Sequence, residues 1–118
     1  MEKQIILLTE KLLHYNELFL QYFEAGREEL MKIDFHEVVK PFANEVKAIN
    51  DEWRILLKRW ITENSPNHFK SSQVDSTYEQ IEGLSIQAFF PETSKTRFLN
   101  SNRTIDYFLT GIMKELTK

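Results

Sequence analysis

Apolar residues recur along the first part of the chain at alternating steps of three and four. Between Glu2 and about Glu24 they form one stripe: Ile5, Leu8, Leu12, Tyr15, Phe19 and Tyr22. Residues three and four apart lie on the same side of an α-helix, so the stripe predicts a helix with one apolar face. Gly26 stands where a helix C-terminus is commonly capped, and we predict that the helix ends there. The charged segment 27–32 is then a connection, with or without helical structure.

A second stripe repeats the alternating spacing: Val39, Phe42, Val46, Ile49, Trp53, Leu56 and Trp60. Asp34 and Glu37 stand three residues apart in front of it, which is the spacing of a capping box, and they predict the start of a second helix. Pro41 lies inside the pattern and cannot donate a backbone hydrogen bond to residue 37. Either the helix kinks there or a short first turn precedes a longer helix, and we favour the kink.

The second half of the chain predicts two more helices. Residues 64–70 hold turn-forming residues without a period, so we predict a loop. Ser72 and Asp75 offer a cap for a third stripe that ends before Pro91: Val74, Tyr78, Ile81, Leu84, Ala88 and Phe89. A fourth stripe follows Ser94 or Ser101 as its cap: Phe98, Asn102, Ile105, Leu109, Ile112 and Leu116.

Four amphipathic helices joined by short connections bury their stripes most simply as neighbours that alternate in direction. The predicted fold is therefore all-α, an antiparallel up-and-down four-helix bundle, with residues 1–118 forming a single domain. Asn102 is the polar exception within the stripes. It is either a buried amide that fixes helix pairing or a residue near a frayed helix end.

Composition narrows the possible functions. Apolar residues make up 42% of the 118 residues, which is enough for one core. The chain has no cysteine, so disulfides and thiolate metal sites are excluded. The net charge of −3, with acids and bases interspersed, makes nucleic acid a poor partner. The longest apolar run covers only residues 5–8, so we expect no membrane segment and a cytoplasmic protein.

The usual chemistry of helical bundles finds little support. A di-metal centre requires carboxylates and histidines that point inward, whereas the predicted inward positions are aliphatic or aromatic. Glu10 and His14 are one helical turn apart, but both belong to the polar face of the first helix. His36 and His68 have no serine or acid at a spacing that indicates a catalytic triad. We therefore expect no enzyme, no cofactor and no metal, and a place in the core for the tryptophans.

The first helix has more apolar surface than a bundle helix minimally needs. Ile6, Leu13 and Leu20 form a second row, offset by one residue from the first stripe. Either the helix lies deeply between its neighbours and buries both rows, or the outer row is a patch that recognises a partner or a second copy of the chain.

A small cationic group is predicted near the start of the fourth helix. Lys95, Arg97 and Arg103 lie where the positive end of the helix dipole already favours an anion. A phosphate or an acidic peptide could dock there. Glu92 is close by in sequence, so an ordinary mixed surface is the alternative.

Several segments together resemble the YppE-like family of small bacilli proteins of unknown function. They are residues 34–41 (Asp-Phe-His-Glu-Val-Val-Lys-Pro), the loop with Ser65, Pro66 and Phe69, and the aromatic and basic stretch before the fourth helix. The resemblance covers nearly the whole chain and implies a four-helix bundle. It carries no catalytic residue over to any position.

These observations favour a non-enzymatic protein-interaction module that binds an unknown protein partner or forms a homodimer. The alternative is a binder of a small anionic ligand near the start of the last helix. An enzyme ranks third, because general acid–base catalysis needs titratable groups held together in a cleft.

Overall fold

The computed structural model describes residues 1–29, 35–90 and 92–118. For residues 27–29, 35 and 36 it describes the backbone and not the side chains. Within these ranges the chain forms four α-helices: α1 (Glu2–Glu29), α2 (Lys40–Asn64), α3 (Ser71–Gln87) and α4 (Lys95–Leu116). A π-helical turn, Phe35–Val39, leads into α2. The predicted all-α class is confirmed.

The helices pack as a closed ring of neighbours. α1 packs against α2 and α4, and α3 also lies between α2 and α4. Hydrogen bonds between side chains show the direction of the helices, since Gln4 bonds Glu52 while Tyr15, further along α1, bonds the earlier Glu45 of α2. α1 is therefore antiparallel to α2, and the contacts of Asn16 with Asn102 and of Phe23 with Phe98 show that it is antiparallel to α4 as well. The predicted four-helix bundle requires these directions.

The core is built mainly from the four predicted stripes. Every residue of the fourth stripe up to Ile112 is buried, including Asn102. The buried face of α1 is rotated slightly from the predicted first stripe: Tyr22 is 37% exposed, and Phe23 is buried instead. The polar residues Thr9 and Asn16 are buried on this same side of α1.

Trp53 is fully buried in the centre of the bundle, as predicted. Its indole N–H donates to the hydroxyl of Thr9 over 3.1 Å, and that hydroxyl donates to the carbonyl of Ile5 over 2.7 Å. The buried indole nitrogen thus has an acceptor, which removes most of the free-energy cost of burying it.

Two helix ends differ from the predictions. Gly26 does not cap α1, because the helix continues to Glu29 and Gly26 has no positive φ. Pro41 lies in the first turn of α2, directly after the π-helical turn, which matches the alternative of a short first turn before a longer helix. Proline is tolerated there because the first turn of a helix has no internal partner for its N–H groups. Asp34 and the side chain of His36 lie outside the described residues.

The caps of α3 and α4 also test the predictions. The Ser94 hydroxyl accepts from the Arg97 N–H, so Ser94 rather than Ser101 caps α4. The predicted cap at Ser72 and Asp75 is wrong. The cap position is Lys70, two residues earlier, and the Gln73 side chain accepts from the Lys70 N–H over 2.9 Å.

Asp75 instead joins α3 to α2. Its carboxylate accepts from Lys58 over 3.0 Å and from Arg54 over 2.8 Å. Hydrogen bonds from these two cations lower the pKa of the Asp75 carboxyl. The Arg54 guanidinium also lies 4.5 Å from the centre of the Tyr78 ring. This polar layer holds the outer edge of the α2–α3 pair.

Candidate interaction surface

The face shared by α1 and α4 contains the apolar row that the first stripe does not need. Ile6, Leu13 and Leu20 are all partly exposed. Leu13 and Leu20 also pack against the buried core. Their position is intermediate between the two predicted alternatives, because the row supports the core and still presents apolar atoms to solvent.

A reciprocal pair of amides joins α1 to α4 under this face. The side-chain amide of Asn16 donates to the backbone carbonyl of Asn102 over 2.9 Å. The Asn102 amide donates to both the backbone carbonyl and the side-chain oxygen of Asn16, each over 2.9 Å. Both side chains are buried, at 4% and 9% exposure. Of the two alternatives for Asn102, the structure therefore shows the buried amide, and the pair fixes the register of the two helices.

Sequence reasoning missed Asn16 as the partner of Asn102. The available signal was an interval of seven residues, since Thr9, Asn16 and Phe23 are spaced that way and all three are buried. The first stripe instead contains Tyr15 and Tyr22, each one residue before the buried position.

A groove of about 770 Å³ follows the outer side of α4. α1 contributes Asn16, Glu17 and Leu20, and the loop before α3 contributes His68 and Phe69. The part of the lining that comes from α4 includes both apolar and charged residues: Asn102, Arg103, Asp106, Tyr107, Phe108, Thr110, Gly111 and Lys114. The floor contains Leu20, Phe69 and Phe108, which are only partly exposed.

Tyr107 is the most exposed of the large apolar and aromatic side chains in the described ranges, at 84%. It stands on α4 between the acid Asp106 and the half-buried Phe108. An exposed aromatic ring beside an apolar groove is typical of protein-binding surfaces, since tyrosine combines a large contact area with a hydroxyl group. The groove is thus bordered by a side chain suited to contact another macromolecule.

The loop 65–70 is held against α4 by one aromatic residue. Ser65 adopts a left-handed conformation, with φ 45° and ψ 53°, and its N–H caps α2 at the carbonyl of Ile61. The Phe69 ring lies edge-on to Phe108 with 5.9 Å between the ring centres. It also covers Gly111, where a Cβ atom would be 3.4 Å from the ring. His68 is exposed at the mouth of the groove.

The three predicted anion-binding residues are only partly brought together. Lys95, Arg97 and Arg103 are all exposed, but only Arg103 lines the groove. Lys95 and Arg97 lie in the first turn of α4, where the Ser94 hydroxyl already accepts one N–H. The groove also holds two acids, Glu17 and Asp106, so its charge is mixed.

A second, smaller groove of about 520 Å³ lies between α1 and the start of α2. Four aromatic rings pack edge-on around Phe42, with centre distances from 5.5 to 5.9 Å: Tyr15, Phe19, Tyr22 and Phe89. Tyr15 donates to Glu45 over 2.6 Å. Burial of the phenol and this acidic neighbour raise the pKa of Tyr15 to about 12.

Glu10 and His14 both line this smaller groove. Both are exposed, as their predicted place on the polar face of the first helix requires. In the part of the chain that the structure describes, no three histidines and acids are grouped closely enough to hold a metal ion. Nor does any helix there combine the length and apolar character needed to cross a bilayer.

Comparison with known proteins identifies one family. The sequence profile of a bacterial domain of unknown function, DUF1798, matches residues 9–116. The uncharacterised protein YppE of Bacillus subtilis is 19% identical over 118 residues, which cover all of this chain and 96% of YppE. Neither description names an activity.

Solved structures share the fold over nearly the whole chain. A Listeria innocua protein of unknown function is 25% identical, with a TM-score of 0.94 over 98% of this chain and 93% of that protein. The crystal structure of YppE gives the same TM-score at 19% identity, over 99% of this chain and 95% of YppE. A DUF1798 domain from Staphylococcus aureus is 25% identical, with a TM-score of 0.87 over 95% of both chains.

Proposed function

This chain belongs to the DUF1798 family of bacterial domains, and we propose that it is a non-enzymatic interaction module that binds protein through the face of α1 and α4. The observation that carries the proposal is the combination of Tyr107, 84% exposed, with a groove of about 770 Å³ whose floor is apolar. Together they provide an aromatic anchor and a surface into which a partner can bury apolar atoms.

The polar groups of this face support binding rather than catalysis. Its buried polar groups, Asn16 and Asn102, are amides that bond to each other. Its titratable groups are all exposed: Glu17, His68, Arg103, Asp106, Tyr107 and Lys114. Acid–base catalysis works best with a titratable group held within hydrogen-bonding distance of a reacting group in a cleft that excludes water. Solvated charges at a rim instead serve to orient a partner.

The mixed charge of the groove favours a protein partner over a polyanion. Glu17 and Asp106 balance Arg103 and Lys114. Nucleic acid would be repelled by the two acids, whereas a protein surface can present charges of both signs.

Site-specific photo-crosslinking tests the proposal. A photoreactive phenylalanine analogue replaces Tyr107 in cells that produce the protein natively, and the matched control places it at Ile55, which is 58% exposed on α2. We expect a defined crosslinked species from position 107 and a weak, diffuse background from position 55. Equal yields from the two positions would overturn the proposal. Thermal stabilisation by inorganic phosphate that Arg103→Ala abolishes would instead support a small anionic ligand.

A further inference from the structure

α4 carries a second stripe of alternating spacing, offset by one residue from the stripe that it buries in the core. Its members follow at steps of three and four: Thr96, Leu99, Arg103, Asp106, Thr110 and Met113. Leu99, Thr110 and Met113 are half-buried, and the other three are exposed. A seam of this period is what one helix presents to another in a coiled coil. The core of the bundle uses the neighbouring stripe of α4, so the described helices cover this seam only in part.

We propose that a second copy of this chain covers the face of α1 and α4, with each α4 antiparallel to the other; this identifies the partner of the proposed interaction module and rests on that function. A twofold axis between residues 104 and 105 places Arg103 opposite Asp106 of the second copy. It also places Leu99 opposite Thr110 and Thr96 opposite Met113. Every member of the seam then meets another member.

The charges in the seam are self-complementary. Arg103 and Asp106 are three residues apart, so a twofold axis midway between them creates two identical ion pairs, one on each side of the axis. Neither side chain forms an ion pair with another described residue of its own chain. A parallel arrangement in the same register would set Arg103 against Arg103, and the like charges would oppose it.

The second apolar row of α1 lies beside the same axis. The bonds between Asn16 and Asn102 set these two residues side by side on antiparallel α1 and α4. Three residues earlier on α1, Leu13 therefore lies at the same height along the bundle as Ile105, three residues later on α4. Leu13 therefore stands close to the axis and meets the corresponding part of the second copy. Leu20 lies further along α1, towards the level of Leu99. The second copy thus covers apolar surface that the bundle itself leaves half-exposed.

Charge reversal tests the second copy directly. Light scattering and sedimentation measure the mass of the wild type, of Arg103→Glu and of Asp106→Arg. We expect a wild-type dimer and, in each variant, a dissociation constant raised at least about tenfold, because like charges then face each other twice. Mixing the two variants restores both ion pairs, so the mixture forms a heterodimer. The double variant restores the homodimer. Arg59→Glu, an exposed change on α2, is the control and leaves the dimer intact.

Circular dichroism melts show whether each variant keeps the bundle fold. We expect that it does, because both changes are on exposed side chains. A wild type that stays monomeric at high concentration overturns the second-copy proposal, as do single variants that dimerise like the wild type or a mixture that fails to associate. Photo-crosslinking from position 107 separates the two proposals. A crosslinked product of twice the chain mass supports the second copy. A monomeric chain that crosslinks to a different protein overturns it and leaves the proposed function standing.

Discussion

The pair formed by Asn16 and Asn102 gives the sharpest test of how the bundle is held in register. Replacing Asn102 with alanine removes the two hydrogen bonds that its amide donates to Asn16. Each such bond contributes about 1 kcal/mol net, and a buried acceptor left unpaired costs about 1–3 kcal/mol. We expect Asn102→Ala to lower the free energy of unfolding by about 2–4 kcal/mol, out of the roughly 5–15 kcal/mol typical of a domain.

Urea unfolding followed by circular dichroism measures this loss. Asn100→Ala, at an exposed position two residues earlier on α4, is the matched control and is expected to change stability by less than about 0.5 kcal/mol. Asn102→Asp keeps the size of the side chain but replaces the donating amide nitrogen with an oxygen. That oxygen then faces the two oxygens of Asn16 that accept from the wild-type amide. Its destabilisation is expected to be larger at neutral pH and to shrink in acid, where the introduced carboxyl regains a proton that it can donate.

The double variant Asn16→Leu with Asn102→Leu removes both partners together. Because no buried polar group is then left unpaired, we expect it to be far more stable than Asn102→Ala and close to the wild type. If Asn102→Ala and the Asn100 control lose the same small amount of stability, the amide pair does not hold the two helices and the reasoning is refuted.

Three further outcomes follow from single contacts. Gly26→Ala should raise the free energy of unfolding by about 0.5–1 kcal/mol, because the added Cβ meets nothing within 4 Å and the helix continues through this position; a loss of stability in urea unfolding would mean that Gly26 is a left-handed cap after all. Thr9→Val removes the acceptor of the Trp53 indole and should cost about 1–3 kcal/mol by the same assay, and an unchanged midpoint would contradict that bond. The Tyr15 phenol titrates at about 12 in the folded protein and at 10.0 as a free side chain, so its contribution to stability is present below pH 10 and is lost as the pH rises through 12. The high-pH absorbance titration of wild type minus Tyr15→Phe should show this phenol, and a difference curve centred near pH 10 would contradict the raised pKa that burial and the bond to Glu45 give it.

The helices of this protein are largely a local property of the sequence. A spacing of three and four residues describes one side of a helix whatever surrounds it, so all four stripes could be predicted. The short connections then predicted that the helices alternate in direction. The Ser94 cap was predictable for the same reason, since its hydroxyl reaches an N–H only three residues away.

Helix ends were less predictable because contacts from other helices decide them. α1 runs past Gly26, and nearby Phe23, only 2% exposed, stacks on Phe98 of α4 with 4.0 Å between the ring centres. A glycine costs a helix only about 1 kcal/mol, which packing of this kind can offset. Asp75 looked like a cap partner in the sequence, yet two cations of α2 engage it. Neither Phe98 nor those cations are near these positions in sequence.

The candidate surface likewise combines features that the sequence predicts with features that depend on packing between helices. The sequence by itself identified Ile6, Leu13 and Leu20 as an apolar row that one stripe does not require, and it identified Arg103 as one of three cations near the start of the fourth helix. Only the tertiary structure brought Leu20 and Arg103 to one groove, paired Asn16 with Asn102, and left Tyr107 exposed beside them. The physical reason is that exposure depends on how much of each face the neighbouring helices cover. Periodicity within one helix fixes which residues share a face, whereas packing against α4 decides how much of that face remains open to a partner.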